Sequence, residues 1–161
     1  MASKLDEEFM RRAIELSEVA GIKEKSGGVF GCVIAKDGKI IGEGYNQVVK
    51  HNDPTWHGEI QAIREACKRM QSPHIEGAVL YTSAEPCPMC LAACYWAHID
   101  HFFYAARVED ALKYGEFKDV DFYKEICKPA SERLIKSSEL LRDEAVKIWK
   151  KFAEMPGRAR Y

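Results

Sequence analysis

Two short stretches of this sequence hold side chains that could do chemistry together: PTWHGEI, residues 54–60, and EPCPMC, residues 85–90. The first offers His57 and Glu59, the second Cys87 and Cys90. Imidazole nitrogen and thiolate sulfur are donors that zinc takes, and a catalytic zinc uses three protein ligands and keeps a fourth position open. His57, Cys87 and Cys90 form such a set. Glu59 adds a carboxylate that can take a proton from water and pass it to a leaving group. Each half alone is weak evidence. A lone His-x-Glu is most often a surface pair, and a lone Cys-x-x-Cys serves redox or structural-metal roles equally well. Their conjunction is far more specific.

The elements around these residues have to bring them together. Cys87 and Cys90, three apart at a helix start, share one face, with Pro88 as the first helical residue. The positive end of that helix favours thiolate. His57 and Glu59 are harder to reconcile, because residues two apart on a regular helix point about 200° away from each other. They need an irregular first turn. The DPT stretch suggests one, with Asp53 as N-cap, Pro54 at the first helical position and the helix continuing through TWHGEIQAIREACKRM. Two such helix starts could then meet at the end of a sheet, where open α/β folds place their sites.

The rest of the chain supplies that sheet. LDEEFMRRAIELSEVA repeats apolar residues at helical spacing (Leu5, Phe9, Ala13, Leu16, Ala20) and predicts a packing helix. VFGCVIA and KIIGEGY flank KDG, which predicts an antiparallel hairpin. NQVVKHN reads as a loop. AVLYTS reads as a strand in a central parallel position, CPMCLAACYWAHI as a helix, HFFYAA as a strand, VEDALKYG as a helical piece and EAVKIWKKFAEM as a terminal helix. The polar stretch from about Asp119 to Asp143 carries no assignment. The expected fold is α/β: a three-layer α/β/α arrangement, a mixed central sheet with helices on both faces.

Length suits one domain spanning 1–161. With 24 basic against 25 acidic residues the net charge is -1, so no broad cationic surface is expected for a nucleic-acid partner. No stretch approaches the roughly 20 apolar residues of a membrane span, and MASKLDEEFMRR is too charged to direct export. The expected location is therefore cytoplasmic. Its six cysteines are then reduced: two metal ligands, with Cys32, Cys67, Cys94 and Cys127 as small hydrophobes. His51, His74, His98 and His101 read as surface or capping residues.

His-x-Glu followed by Pro-Cys-x-x-Cys is the signature of zinc-dependent nucleobase deaminases, in which the Glu is a general acid/base and not a ligand. The chain resembles the cytidine-deaminase-like superfamily and, within it, is similar to the small bacterial-type guanine deaminases. That resemblance runs through GGVFGCVIAKDG, EGYNQV, NDPTWHGEIQAIREACK, LYTSAEPCPMCLAACYWA, FYAA, YKEICKPASER and the final tyrosine. It implies hydrolytic deamination of guanine to xanthine and ammonia, with one zinc per subunit on His57, Cys87 and Cys90 and Glu59 shuttling protons. It implies a purine site in which Asn46 hydrogen-bonds the base, Phe30 lines the pocket and the Gly58 backbone N–H helps to bind. Trp96, Asp119 and Tyr161 would complete that pocket in a homodimer that exchanges its C-terminal segment, about 143–161. The chain departs from the family pattern at Val29 (usually Pro), Gly58 (usually Ala) and Ala84 (often Cys), and one inserted residue near GEFKDVDFYKE makes Asp119, rather than Asp121, the matching acid.

Taken without the resemblance, Phe30 and Trp96 read as core aromatics and Asn46 as a turn residue. Rival readings share the metal motif: a deaminase of another purine base, of guanosine or of a guanine-like triazine, or a tRNA adenosine deaminase. A non-enzymatic zinc module would need a fourth ligand, for which Cys94 is the nearby candidate.

Overall fold

A computed structural model describes residues 2–161. They fold in the order α1 (Lys4–Glu18), continued by a π-turn (Val19–Lys23), β1 (Gly31–Lys36), β2 (Lys39–Tyr45), α2 (Val48–His51), α3 (Gly58–Met70), β3 (Val79–Ala84), α4 (Pro88–Trp96), β4 (His101–Ala106), α5 (Val108–Gly115), α6 (Asp119–Cys127), a 3-10 turn (Ala130–Glu132) and α7 (Arg142–Glu154). Chain contacts group the residues up to Tyr123 into one compact unit and Lys124–Tyr161 into another.

In the first unit the sheet order is β2-β1-β3-β4. β1 is antiparallel to both β2 and β3, and β4 runs parallel to β3. The sheet is therefore mixed, as expected, and β3 is central but parallel on one side only. KDG makes the tight turn between β1 and β2, with Asp37 at φ 51° and Gly38 at φ 74°. Both central residues are left-handed, which suits a two-residue hairpin loop.

Alternation along β1 splits the core between two faces. Cys32 and Ile34 join Ala62 and Ala66 of α3, Leu80, and Cys94 of α4. Val33 and Ala35 join Phe9, Ala13 and Leu16 of α1 and Tyr81. Helices thus cover both faces, and both helices that carry the chemistry lie on the same one. Of the periodic apolar positions in α1, only Leu5 is exposed.

Close packing holds α3 to β2. A Cβ on Gly42 would lie 2.3 Å from the Ala62 carbonyl oxygen, and one on Gly44 would lie 2.1 Å from the Gly58 carbonyl oxygen. Only glycine lets the helix backbone approach the strand this closely, and that approach fixes the depth of the first turn of α3.

Two expectations need correction, and one unassigned stretch gains structure. NQVVKHN is not all loop: it contains the single turn of α2. The unassigned polar stretch contains α6 and the 3-10 turn. Most consequential, α3 begins at Gly58 and not near Pro54. Asp53 does not cap it, because its Oδ1 is engaged by Thr55 N at 2.8 Å and Thr55 Oγ1 at 2.7 Å. This local turn competes with helix initiation and hands the N-cap position to His57.

The second unit, taken by itself, ties its first residues through Glu125, which accepts from Leu134 N at 2.9 Å. On α7, Trp149 packs edge-on against Phe152 at 6.1 Å but stays exposed. Cys127 is exposed too.

Candidate active site

His57 and Cys87 occupy equivalent places. Each is an N-cap in extended conformation, φ −80° and ψ 155° for His57 and φ −69° and ψ 167° for Cys87, and neither makes a side-chain capping bond. An N-cap side chain leaves the helix axis, and both side chains are therefore available as ligands. The same geometry resolves the two-residue spacing: His57 stands outside the helix, while Glu59 sits within its first turn and points inward, 4% exposed. Both side chains stand at the positive end of a helix, where the first backbone N–H groups have no intrahelical partner.

The candidate ligands converge there. His57 Nδ1 lies 3.6 Å from Cys87 Sγ and 3.5 Å from Cys90 Sγ. The three donor atoms all lie within 4.8 Å of one another. One imidazole nitrogen and two sulfurs at this separation suit a tetrahedral zinc with one open position. Electrostatics agree. The Cys87 thiol is lowered to about 4, chiefly by a hydrogen bond from Cys90 and then by His57, whereas Cys90 is raised as the partner that keeps the shared proton. Thiolate is the form of cysteine that ligates a metal. His57 is raised, first by its contact with Cys87.

Glu59 borders this cluster, with Oε2 3.4 Å from Cys90 Sγ. Burial is the main cause of its raised pKa, and a raised carboxylate is suited to carry a proton near neutral pH. Its other oxygen, Oε1, lies 3.1 Å from the hydroxyl of Thr82, a fully buried residue of β3. That hydroxyl is also 3.0 Å from the Ala84 carbonyl. One hydrogen can turn between two acceptors. Thr82 donates to Glu59 when the carboxylate is charged, and it accepts from Glu59 while donating to Ala84 when the carboxyl is protonated.

The cluster opens into a cavity of about 490 Å³ whose lining includes Phe30, Asn46, His57, Glu59, Cys87 and Asp119. That volume is in the range of small-molecule sites. Asn46 is buried; its Oδ1 accepts from Val48 N at 3.2 Å, which leaves the side-chain NH₂ as a donor. It is both the turn residue of one reading and a pocket residue of the other. Burial, then the charge of Cys87, raises Asp119. Gly58 is buried at the first position of α3, and a Cβ there would stand 3.3 Å from the Gly44 and Phe30 carbonyl oxygens. The alanine usual in the family would therefore fit with a small shift.

One expected residue of the first unit is not brought here. Trp96 ends α4, at the opposite end of the helix from Cys87, and is exposed. Tyr161 belongs to the second unit and is exposed. Conversely, Glu85 and Phe117 line the cavity without having been singled out from the sequence. Phe117 meets Phe30 edge-on at 4.9 Å. Glu85 adjoins the Pro-Cys motif and could have been suspected, but Phe117 carries no local signal. Cys94 does not join the donor set. It is 3% exposed in the α3/α4 core, where burial and the charge of Glu59 push its thiol up to about 12. The closed four-ligand module loses its fourth ligand.

Comparison with known proteins gives a consistent picture. Residues 3–106 match the zinc-binding region of cytidine and deoxycytidylate deaminases. The chain is 47% identical to a guanine deaminase of Bacillus subtilis over 150 residues, 91% of this chain and 95% of that one. An X-ray structure of guanine deaminase from Bacillus subtilis superposes with a TM-score of 0.90 at 44% identity, covering 96% of this chain and 98% of the other. A tRNA-specific adenosine deaminase of Aquifex aeolicus is 38% identical over 93 residues, 58% of this chain and 62% of that one.

Proposed function

The chain belongs to the cytidine and deoxycytidylate deaminase family, whose matched region is zinc-binding, and from that premise we propose that it hydrolyses guanine to xanthine and ammonia. The observation that carries the reading is Glu59, a buried carboxylate held beside three metal donors at the floor of a cavity of about 490 Å³. Similarity over nearly the whole chain to a guanine deaminase supports guanine as the base.

His57, Cys87 and Cys90 would hold the zinc, which when bound supplies Lewis-acid activation of water. Glu59 takes a proton from the attacking water and passes it to N3 of the ring as the C2–O bond forms. It then carries the remaining hydroxyl proton to the exocyclic amino group, whose bond to C2 breaks as ammonia leaves and the C2 carbonyl forms. Thr82 keeps a hydrogen-bond partner on Glu59 in both protonation states. Asn46 and the Gly58 N–H bind the purine edge, Asp119 accepts from its N–H groups, and Phe30, braced by Phe117, forms a wall of the slot.

The whole chain, 1–161, acts as one deaminase domain in a homodimer, with the segment from about 143 exchanged and with Trp96 and Tyr161 serving the partner's pocket. Supporting this are exposed aromatic side chains on the first unit (Tyr95, Trp96, Tyr114) and exposed Ile148 and Trp149 on α7, more apolar surface than a lone subunit ordinarily leaves in water. No described helix is long and apolar enough to cross a membrane. The six cysteines are all free thiols, which suits a reducing cytoplasmic compartment.

Glu59→Gln separates catalyst from scaffold. It should keep about one zinc per chain while kcat falls by at least the ~10²–10⁴ of general acid–base catalysis. Undiminished turnover would refute the assignment.

A further inference from the structure

We propose that the protein carries a second metal site, for a borderline divalent transition metal, built from His74, Glu76 and His98. It lies where α3 and α4 end, whereas His57, Cys87 and Cys90 lie where the same helices begin. One donor atom from each of the three side chains falls within 4.8 Å of the other two.

The backbone there is built, not incidental. Ile75 N donates to the Ala97 carbonyl at 2.9 Å, joining the link before β3 to the end of α4. Both residues are buried in the same core, at 1% and 2% exposure. With Ile75 pointing inward, its neighbours turn the other way, His74 half-buried and Glu76 exposed. With Ala97 inward, His98 emerges beside them. His98 adopts φ 55°, uncommon for a residue with a Cβ, and closes α4. Lys36 Nζ binds the Glu76 carbonyl at 2.7 Å, which anchors the loop and leaves the carboxylate outward.

One feature asks for a ligand. His74 Nε2 is buried with no hydrogen-bond partner, alone in this among the buried side-chain nitrogen and oxygen atoms of the described residues. Buried polar atoms are ordinarily satisfied, and a cation would satisfy a lone pair on this ring. The remaining contacts bring the donors together: His74 and His98 stack at 3.8 Å with planes 6° apart, and His98 Nδ1 is 3.0 Å from Glu76 Oε1. Parallel rings cannot both aim a lone pair at one ion. Binding therefore turns one ring about χ2, a broad two-fold torsion, and exposed His98 has room to do so. Two imidazoles and one carboxylate suit Zn²⁺, Ni²⁺, Co²⁺ or Cu²⁺ over Mg²⁺ or Ca²⁺, with water completing the shell. A bound ion would clamp the end of α4 to the link that follows α3.

Nickel tests this on the zinc-loaded full-length protein, because the two metals are counted separately. After equilibrium dialysis against micromolar NiCl₂, the wild type should hold about one nickel per chain in addition to its zinc, and its Tm should rise, as it does for any ligand bound by the folded state alone. His98→Ala and Glu76→Gln should each weaken nickel binding by roughly tenfold or more, the scale on which even outer-shell changes weaken metal sites. Both should keep their zinc and their nickel-free guanine turnover. Wild-type protein that takes up no nickel overturns the proposal. So does uptake unchanged in both variants, or nickel gained only as zinc is lost.

Discussion

Thr82→Val removes one hydroxyl and almost nothing else. Thr82 is fully buried on β3, its Oγ1 is 3.1 Å from Glu59 Oε1 and 3.0 Å from the Ala84 carbonyl, and valine fills nearly the same volume. The substitution is not neutral, because it leaves the proton-carrying carboxyl without the partner that follows its changes of charge. A hydrogen bond to a charged group contributes ~1.5–3 kcal/mol. Taken wholly from the barrier, at about 1.36 kcal/mol per decade, that is a roughly ten- to 150-fold loss in kcat, well short of removing Glu59 itself. KM for guanine should hardly move, since Thr82 does not line the cavity. The assay is steady-state xanthine formation with zinc content and Tm measured on the same preparations. Thr82→Ser restores the hydroxyl and should recover most of kcat despite losing a buried methyl. Full activity in Thr82→Val would refute the reasoning, and so would an activity loss that serine does not rescue.

Other consequences can be checked together. Asn46→Ala removes a donor from the cavity wall and should lower kcat/KM for guanine by about 2- to 13-fold, the worth of a neutral hydrogen bond, with zinc unchanged; metal analysis beside kinetics would show it. Gly44→Ala places a Cβ 2.1 Å from the Gly58 carbonyl. It should destabilise the fold by about 1–3 kcal/mol, typical of overpacking, and lower kcat by displacing the first turn of α3, as read by denaturant unfolding and kinetics. Deleting residues 158–161 should leave zinc and dimer intact while guanine turnover drops sharply, and mixing this variant with Glu59→Gln subunits should recover activity if tails act across the dimer.

The legible parts of the sequence were those in which local chemistry and final position coincide. KDG makes its turn from its own backbone preferences, and the alternation in GCVIA sorts β1 between two faces. His57, Cys87 and Cys90 could be read because metal donors advertise themselves by type and spacing, and the structure brings them within 4.8 Å. Elsewhere a nearby competitor decided the outcome. DPT looked like a helix start, but the Asp53 carboxylate is engaged by Thr55, so the cap moved to His57. That shift is what lets His57 and Glu59 work side by side. Phe117 and Thr82 were silent in the sequence, because a phenylalanine after α5 and a threonine in a strand acquire roles only from what the fold sets opposite them. His74 and His98 read as surface histidines, since the contact between Ile75 and Ala97 that pairs them joins residues far apart in the chain.

The central claim is zinc-dependent deamination of guanine, and parallel measurement of xanthine and ammonia from guanine tests it most directly. Adenine, cytosine, guanosine and a tRNA anticodon stem-loop should be assayed under the same conditions. Equal amounts of xanthine and ammonia from guanine, faster than from any other substrate and lost on removing the metal, are the predicted result. Faster deamination of the stem-loop or of cytosine, or guanine turnover that survives complete loss of metal, would contradict it.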